Sequence, residues 1–338
     1  VQPENLIFFV EMGETVLDAA LRQGFNFSYG CQQGACGTCA AKLVEGKISY
    51  PGIDPIGLED HEADENFILL CGAVPESDIV LRHAGVTAPW QFPVKKINYR
   101  VTSVNTLSPT VVQVLLEPTD ADFIHFQAGQ YVQVHTKNNE SRPFSIANAP
   151  TSDNKIELHI RHTDDNAFST ELLSLITNKQ PIELEGPFGH CVYRTGLSYP
   201  LIFIAGGTGF AHTKAIIEQT ILSAPDTPMH LFWGAKTADD LYMNHLPLEW
   251  QKNLTNFHYT PTLSKSDGSF NWEGHTVSLP TLMTTLYPDL TGKLIYTSGP
   301  LPLVQDTIEQ GKAHGLKTAY FFSDLMPPCN PLSKEECS

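Results

Sequence analysis

A multidomain α+β chain is the fold class this sequence predicts: a small α+β module, a six-stranded antiparallel β-barrel, and an α/β domain on a parallel sheet. Three observations carry that expectation. A loop dense in Gly and Cys occupies residues 30–39 of the first segment. Six segments rich in β-branched and aromatic residues, separated by turn signals, fill residues 99–189 around a single helix. Beyond residue 199, apolar strands alternate with helical stretches, as a doubly wound parallel sheet requires.

The first segment opens with a strand over 6–10 and a helix over 15–23 that Gly24 stops. After the cysteine loop come a strand over 40–44, a turn at Glu45-Gly46 and an apolar piece over 67–74. Residues 83–93 contain Gly85, Pro89 and Pro93 with little periodicity and read as a linker. Barrel strands are expected over 99–107, 110–118, 130–136, 142–148, 155–162 and 181–186, with the helix over 169–177. The parallel strands follow over 201–205, 229–235, 257–263, 293–298 and 318–322. The expected domains are therefore 1–88, 99–195 and 196–328, with a linker over 89–98 and a polar tail over 329–338.

Of the 338 residues, 41% are hydrophobic and 17% charged, the balance of a globular chain rather than a disordered one. The longest apolar run is five residues, against about 20 for a membrane helix, so no membrane span is expected. Lys and Arg number 21 against 37 Asp and Glu, a net charge of −16 that disfavours nucleic acid and anionic lipid as partners. Residues 1–90 alone hold 4 basic and 13 acidic residues, which suits docking on a basic patch. No positively charged start with an apolar stretch is visible, so the cytoplasm is the expected location.

The segment from Cys31 through Cys36 to Cys39 has the spacing C-x4-C-x2-C, and Cys71 is the nearby fourth thiol. That spacing suits a two-iron, two-sulfur cluster held by four thiolates. Gly30, Gly34 and Gly37 would let the backbone wrap closely and turn N–H groups toward sulfur. A structural zinc site or a redox disulfide are the alternatives; zinc more often uses two separate knuckles, and one is present here. Cys191, Cys329 and Cys337 fit no ligand spacing. Residues 1–88, including the Leu69-Leu70-Cys71 approach to the last thiol, resemble a plant-type ferredoxin (β-grasp) domain.

In the barrel, Arg142-Pro143-Phe144-Ser145 follows Ala128-Gly129-Gln130-Tyr131. A flavin needs a ring against its face, a donor near N5 and a cation at its pyrophosphate; Phe144, Ser145 and Arg142 could supply these. Strand alternation puts Arg142 and Phe144 on one face and Ser145 on the other, so a bend would be needed to bring all three to one ligand. Four residues alone equally describe an ordinary polar-edged strand. Ser169-Thr170, opening a helix, would suit a pyrophosphate, and Gly186-Pro187-Phe188-Gly189 ends the barrel. Together these resemble the flavin-binding domain of the ferredoxin–NADP reductase superfamily, whose motif reads Arg-x-Tyr/Phe-Ser. The chain departs from it at Asp165-Asn166-Ala167-Phe168, where glycines are frequent.

The strand over 201–205 runs into Gly206-Gly207-Thr208-Gly209, whose missing side chains would let N–H groups reach a phosphate at a helix start. It is not GxGxxG, which argues against an ordinary Rossmann dehydrogenase. This turn, Thr297-Ser298-Gly299-Pro300 and Phe322-Ser323-Asp324 resemble the nicotinamide domain of the same superfamily. Ser298 replaces a frequent cysteine, Leu325-Met326 a terminal aromatic, and His212 a frequent proline. His212 reads as a polar residue at a helix start, and His159 and His162 as surface or core filler. Lys236 is the lone cation after the second parallel strand, so NADH is favoured over NADPH.

The order of the three parts is similar to reductase components of phenol hydroxylases, methane monooxygenase and naphthalene dioxygenase, and to CDP-6-deoxy-3,4-glucoseen reductases. The resemblance implies a [2Fe-2S] cluster on the four cysteines, FAD at the barrel, and NADH or NADPH at the glycine turn. It implies electrons moving from nicotinamide through flavin, with Ser145 and Phe144 at the reacting ring, to the cluster and singly to a partner protein. Monomer is the expected free state. The alternatives are an NAD(P)H–flavin reductase, or a non-catalytic relay subunit of a larger complex.

Overall fold

A computed structural model describes residues 1–2, 6–23, 25, 27, 29, 31–58, 60–83, 86, 92–136, 140–162, 167–189, 191–194, 199–264, 275–317 and 320–323. They divide into two compact units, one within residues 1–91 and one within 92–325.

In the first unit, helix α1 (Val16–Arg22) is capped by Thr15, whose hydroxyl accepts from the Asp18 N–H. Its Val16, Leu17, Ala20 and Leu21 enter a core with Phe25, Ile68, Leu69 and Leu81. Strands β1 (Ala40–Glu45), β2 (Ile48–Ser49), β3 (Phe67–Leu69), β4 (Val74–Pro75) and β5 (Val80–Arg82) and the short helix α2 (Asp60–Asp64) complete the unit. β1 is central, antiparallel to β3 and β5, and β2 pairs with β4. Among the described residues, the expected strand over 6–10 joins no ladder. Its residues do alternate in exposure, but Phe9 exchanges backbone hydrogen bonds with the side-chain amide of Gln23 instead. Gly24 lies outside the described residues.

In the second unit, strands β6 (Lys95–Ser108), β7 (Val111–Pro118), β8 (Tyr131–His135), β9 (Ser141–Ser145), β10 (Ile156–Arg161) and β11 (Ile182–Phe188) form one antiparallel sheet in the order β10-β7-β6-β11-β8-β9. The sheet curls until its end strands meet at an Ile146–Leu158 bridge, where the Ala147 N–H donates to Glu157 C=O at 2.8 Å. β6 starts at Lys95, before the expected Tyr99, because Lys95 to Ile97 already pair with β11. Helix α3 (Ala167–Thr177) starts two residues ahead of Ser169 and packs Phe168, Leu172 and Ile176 into the barrel core.

Strands β12 (Leu201–Gly206), β13 (Met229–Ala235), β14 (Phe257–Leu263), β15 (Leu294–Ser298) and β16 (Phe321–Phe322) are parallel, in the order β14-β13-β12-β15-β16. β12, β13 and β15 are buried along nearly their whole length, so they read as continuous apolar runs without alternation. Helices α4 (Phe210–Ser223), α5 (His245–Asn253), α6 (Leu279–Leu286) and α7 (Leu301–Ala313) make the crossovers. The order reverses between β12 and β15, the switch point where an open α/β sheet leaves a crevice at its strand ends. Among the described residues, no helix is long and apolar enough to cross a membrane.

Candidate functional site

Cys31, Cys36 and Cys39 lie on the loop before β1, and Cys71 lies just after β3. Gly34 and Gly37 sit at φ +71° and +73°, and a Cβ on Gly34 would stand 2.5 Å from the Asp54 carbonyl oxygen. A Cβ on Gly37 would stand 2.9 Å from the Gly57 oxygen, so these positions need glycine for both conformation and space. Gly30 lies outside the described residues. The thiols gather in two pairs. The Cys31 N–H donates to Cys36 Sγ at 3.3 Å, and the side chains of Cys39 and Cys71 hydrogen-bond each other. The Thr38 hydroxyl, with the Cys31 and Thr38 amides, pulls the Cys36 thiol down to about 6. Among the described residues no three potential ligands gather on a single point for one metal ion. Two pairs of thiols fit a two-iron cluster, in which four cysteines serve two irons.

In the second unit, a cleft of about 1190 Å³ opens where the barrel meets the parallel sheet. The barrel contributes Tyr131, Arg142, Pro143, Phe144, Ser145, His159 and Arg161; the facing wall is Gly206, Gly207, Thr208 and Gly209 with Ser298, Gly299 and Pro300. Lys236, Asp240, Ser264 and Ser278 line it further along.

All three side chains of the barrel motif reach this cleft, although strand alternation separates them. β9 is an edge strand, bonded only to β8, and it ends at Ser145 before the chain turns into the closing bridge. Its end therefore shows both faces to the opening. Phe144 packs against the barrel core and stacks with Phe168 at 6.3 Å, and the Arg142 guanidinium lies 5.0 Å over the same Phe168 ring. Phe168 thus holds both side chains. Tyr131, paired with Ser145 in the β8–β9 register, stacks on Phe188 at 5.7 Å. An aromatic wall, a hydroxyl and a cation on one rim fit a flavin nucleotide.

The glycine turn needs its glycines. A Cβ on Gly209 would stand 2.2 Å from the Ser298 oxygen, and one on Gly206 would stand 3.0 Å from the Pro300 ring and 2.8 Å from Leu303. The turn therefore packs closely against the Ser298-Gly299-Pro300 segment. Gly207 has φ +54°, and a Cβ there would face Arg161 Nη2 at 3.6 Å. Arg161, on the barrel, also contacts Asp240 Oδ1 at 3.3 Å. Backbone donors at a helix start and a guanidinium beside them suit a phosphate.

Behind the cleft lies a buried polar network. Glu157 accepts from His159 Nε2 at 2.7 Å, Gln113 at 2.8 Å and Lys214 at 3.1 Å. Burial opposes its ionisation, but His159 and Lys214 overcome this and hold the carboxyl down to about 2. Burial pushes the His159 ring toward its neutral form against the pull of Glu157; Nε2 faces the carboxylate and Nδ1 lies 3.0 Å from the Tyr242 hydroxyl. Lys214 also donates to Ala147 C=O at 2.9 Å and pairs with Glu218 at 2.8 Å.

The structure does not bring every expected residue to the cleft. Ser169 and Thr170 lie in the first turn of α3, Ser169 buried and Thr170 exposed, and neither lines the cleft. Gly186 lies in β11, where a Cβ would meet Val132 at 3.0 Å. Asp165, Asn166, Asp324, Leu325, Met326, Cys329 and Cys337 lie outside the described residues. His212, by contrast, does line the cleft, buried on α4 with its Nε2 2.9 Å from Cys191 C=O, and Cys191 is buried as a small apolar residue would be. Sequence reasoning missed Arg161. Its strand, β10, already carries Glu157 and His159 among its apolar residues, so nothing in that pattern singles the arginine out.

Residues 1–76 match the 2Fe-2S iron-sulfur cluster binding domain, 98–193 the oxidoreductase FAD-binding domain and 203–309 the oxidoreductase NAD-binding domain. The phenol hydroxylase P5 protein of Acinetobacter pittii is 32% identical over 313 residues, covering 91% of this chain and 88% of that one. The CDP-6-deoxy-L-threo-D-glycero-4-hexulose-3-dehydrase reductase of Yersinia pestis is 29% identical over 328 residues, 97% of this chain and 98% of its own. In fold, the chain resembles the ferredoxin reductase in carbazole 1,9a-dioxygenase, with TM-score 0.63, 24% identity, and coverage of 92% and 93%.

Proposed function

This chain belongs to the family of iron–sulfur flavoprotein reductases that join 2Fe-2S, FAD-binding and NAD-binding domains in one polypeptide, and from that premise we propose where each group sits and whom the chain serves. It is an NAD(P)H-dependent oxidoreductase of the kind that supplies electrons to a partner protein. The partner is an oxygenase or dehydrase component that presents a basic patch to the acidic first segment, residues 1–90. The free chain is a cytoplasmic monomer, and NADH is the preferred donor because Lys236 offers no bidentate grip on a 2′-phosphate.

When bound, the flavin supplies the exchange between paired and single electrons and the cluster carries them one at a time. The protein's share is position and electrostatics. Arg142 holds the flavin phosphates, Phe144 walls one side of the ring, and Ser145 donates a hydrogen bond near N5. Gly206 to Gly209 present their N–H groups to the dinucleotide, and Gly299-Pro300 closes the opposite side. Cys31, Cys36, Cys39 and Cys71 hold the cluster.

The observation that carries this reading is a single cleft lined by both the Arg142–Ser145 strand end and the Gly206–Gly209 turn. The test is flavin titration and steady-state turnover of purified, reconstituted protein. One tight equivalent of FAD, with NADH-driven ferricyanide reduction, supports it. Weak flavin binding with release of reduced flavin would favour a flavin reductase, and no NADH or NADPH oxidation would favour a passive relay. Coupling to the protein acceptor should weaken as salt rises; a flat response removes the basic-patch partner.

A further inference from the structure

Gly207 C=O accepts two hydrogen bonds, one from Trp233 Nε1 at 2.9 Å and one from the Phe210 backbone N–H that closes the turn. Trp233 is fully buried on β13, level with Ala205 in the β12–β13 register, one strand away from the glycine turn. Its indole stacks face to face on Phe210, the first residue of α4, with centroids 3.9 Å apart and planes at 10°. Tyr242 meets the edge of the pair, 5.3 Å from Trp233. The ring is held on several sides, so its N–H has a fixed direction.

The Gly207 carbonyl and the Thr208 N–H belong to one planar trans peptide and point in opposite directions. Drawing the carbonyl inward to the indole turns the Thr208 N–H outward, and Thr208 lines the cleft. Gly207 sits at φ +54°, a region that glycine enters readily. A flipped peptide would present a carbonyl oxygen to the phosphate in place of a donor.

We propose that Trp233 is a positioning residue for the dinucleotide, whose Nε1–H locks the Gly207–Thr208 peptide with its donor facing the phosphate. The lock rests on the placement of the dinucleotide on this turn, and it concerns binding of the diphosphate rather than the chemistry at the nicotinamide ring.

The probe is ADP-ribose, with adenosine as the phosphate-free control, titrated calorimetrically into the flavin- and cluster-loaded protein. Trp233→Phe keeps an aromatic ring and removes the donor; it should weaken ADP-ribose binding roughly tenfold. Adenosine binding should stay within about twofold, and KM for NADH should rise with kcat at saturation nearly unchanged. Phe210→Leu removes the stack and leaves the indole N–H in place, and should weaken ADP-ribose by less than about threefold. Where Trp233→Phe does not fold, 3-benzothienylalanine at position 233 keeps the bicyclic shape without the N–H and gives the same reading. Equal ADP-ribose affinity in wild type and in the donor-less variants overturns the lock. So does an equal loss in Phe210→Leu, which would make packing the cause. Failure of the wild type to bind ADP-ribose overturns the dinucleotide placement itself.

Discussion

Lys214 on α4 places its ammonium 3.1 Å from Glu157 Oε2 on β10, joining the helix behind the glycine turn to the barrel wall. Both side chains are nearly buried, at 5% and 10% exposure. Helix α4 makes three further polar contacts with the barrel side: Lys214 donates to Ala147 C=O, Glu218 accepts from the Ala149 N–H at 3.2 Å, and His212 Nε2 lies 2.9 Å from Cys191 C=O. The surfaces that would carry flavin and nicotinamide are thereby fixed to each other through one helix.

Removing the cation takes the ammonium partner from the nearly buried Glu157 and the half-buried Glu218, leaving Glu157 with His159 and Gln113 as donors. Lys214→Met should therefore destabilise the second unit by about 3–5 kcal/mol, read by denaturant unfolding. A loss below about 1 kcal/mol would mean that water reaches the pair.

Glu157 also sets an acid dependence. Its folded value of about 2 lies below its ordinary 4.5, so its stabilisation is complete above about 4.5 and is lost as pH falls toward 2. Burial pushes Glu218 the opposite way, so its ionisation costs stability as pH rises. Comparing wild type with Glu157→Gln isolates the first effect: the gap in Tm should shrink steadily from about pH 4.5 toward 2. A constant gap would contradict it.

Arg161 stands beside Gly207 on the cleft wall and is the guanidinium nearest the turn. Arg161→Ala should raise KM for NADH about tenfold and flatten its salt dependence, measured by steady-state kinetics at two ionic strengths.

Gly209→Ala would drive a methyl to within 2.2 Å of the Ser298 oxygen, a backbone atom that has no rotamer to move. The expected cost is about 1–3 kcal/mol and loss of dinucleotide binding, with the flavin and iron–sulfur absorption bands retained.

Cys36→Ser removes one of four thiolates. Iron–sulfur absorption should fall and electron delivery to a protein acceptor should drop about 10–100-fold, while NADH-driven ferricyanide reduction persists. Unchanged delivery would mean that electrons bypass these cysteines.

Most of the architecture was legible because its signals are local. The cysteine spacing, the glycine turn after a buried strand, and the alternation of strand and helix each lie within a few residues. The stretch over 6–10 is a continuous apolar run that reads as a strand, but that run does not report the Gln23 side chain bonding the Phe9 backbone. The cleft was only half legible. Arg142, Phe144 and Ser145 were found as a motif, but their convergence depends on β9 ending at the barrel rim, which periodicity cannot report. Arg161 and Trp233 meet the turn from other strands, far from it in sequence, so no local pattern marks them.

The position of β11 has a consequence for biosynthesis. It is the last barrel strand made, yet it lies between β6 and β8 and bonds to both. A nascent chain that has not yet reached residue 182 can form the β6–β7 and β8–β9 hairpins, but it exposes an unpaired edge on each. Those edges are sites for pairing with another chain, so ribosome stalling or truncation upstream of residue 188 should favour aggregation, and chaperone demand should peak just before that strand emerges.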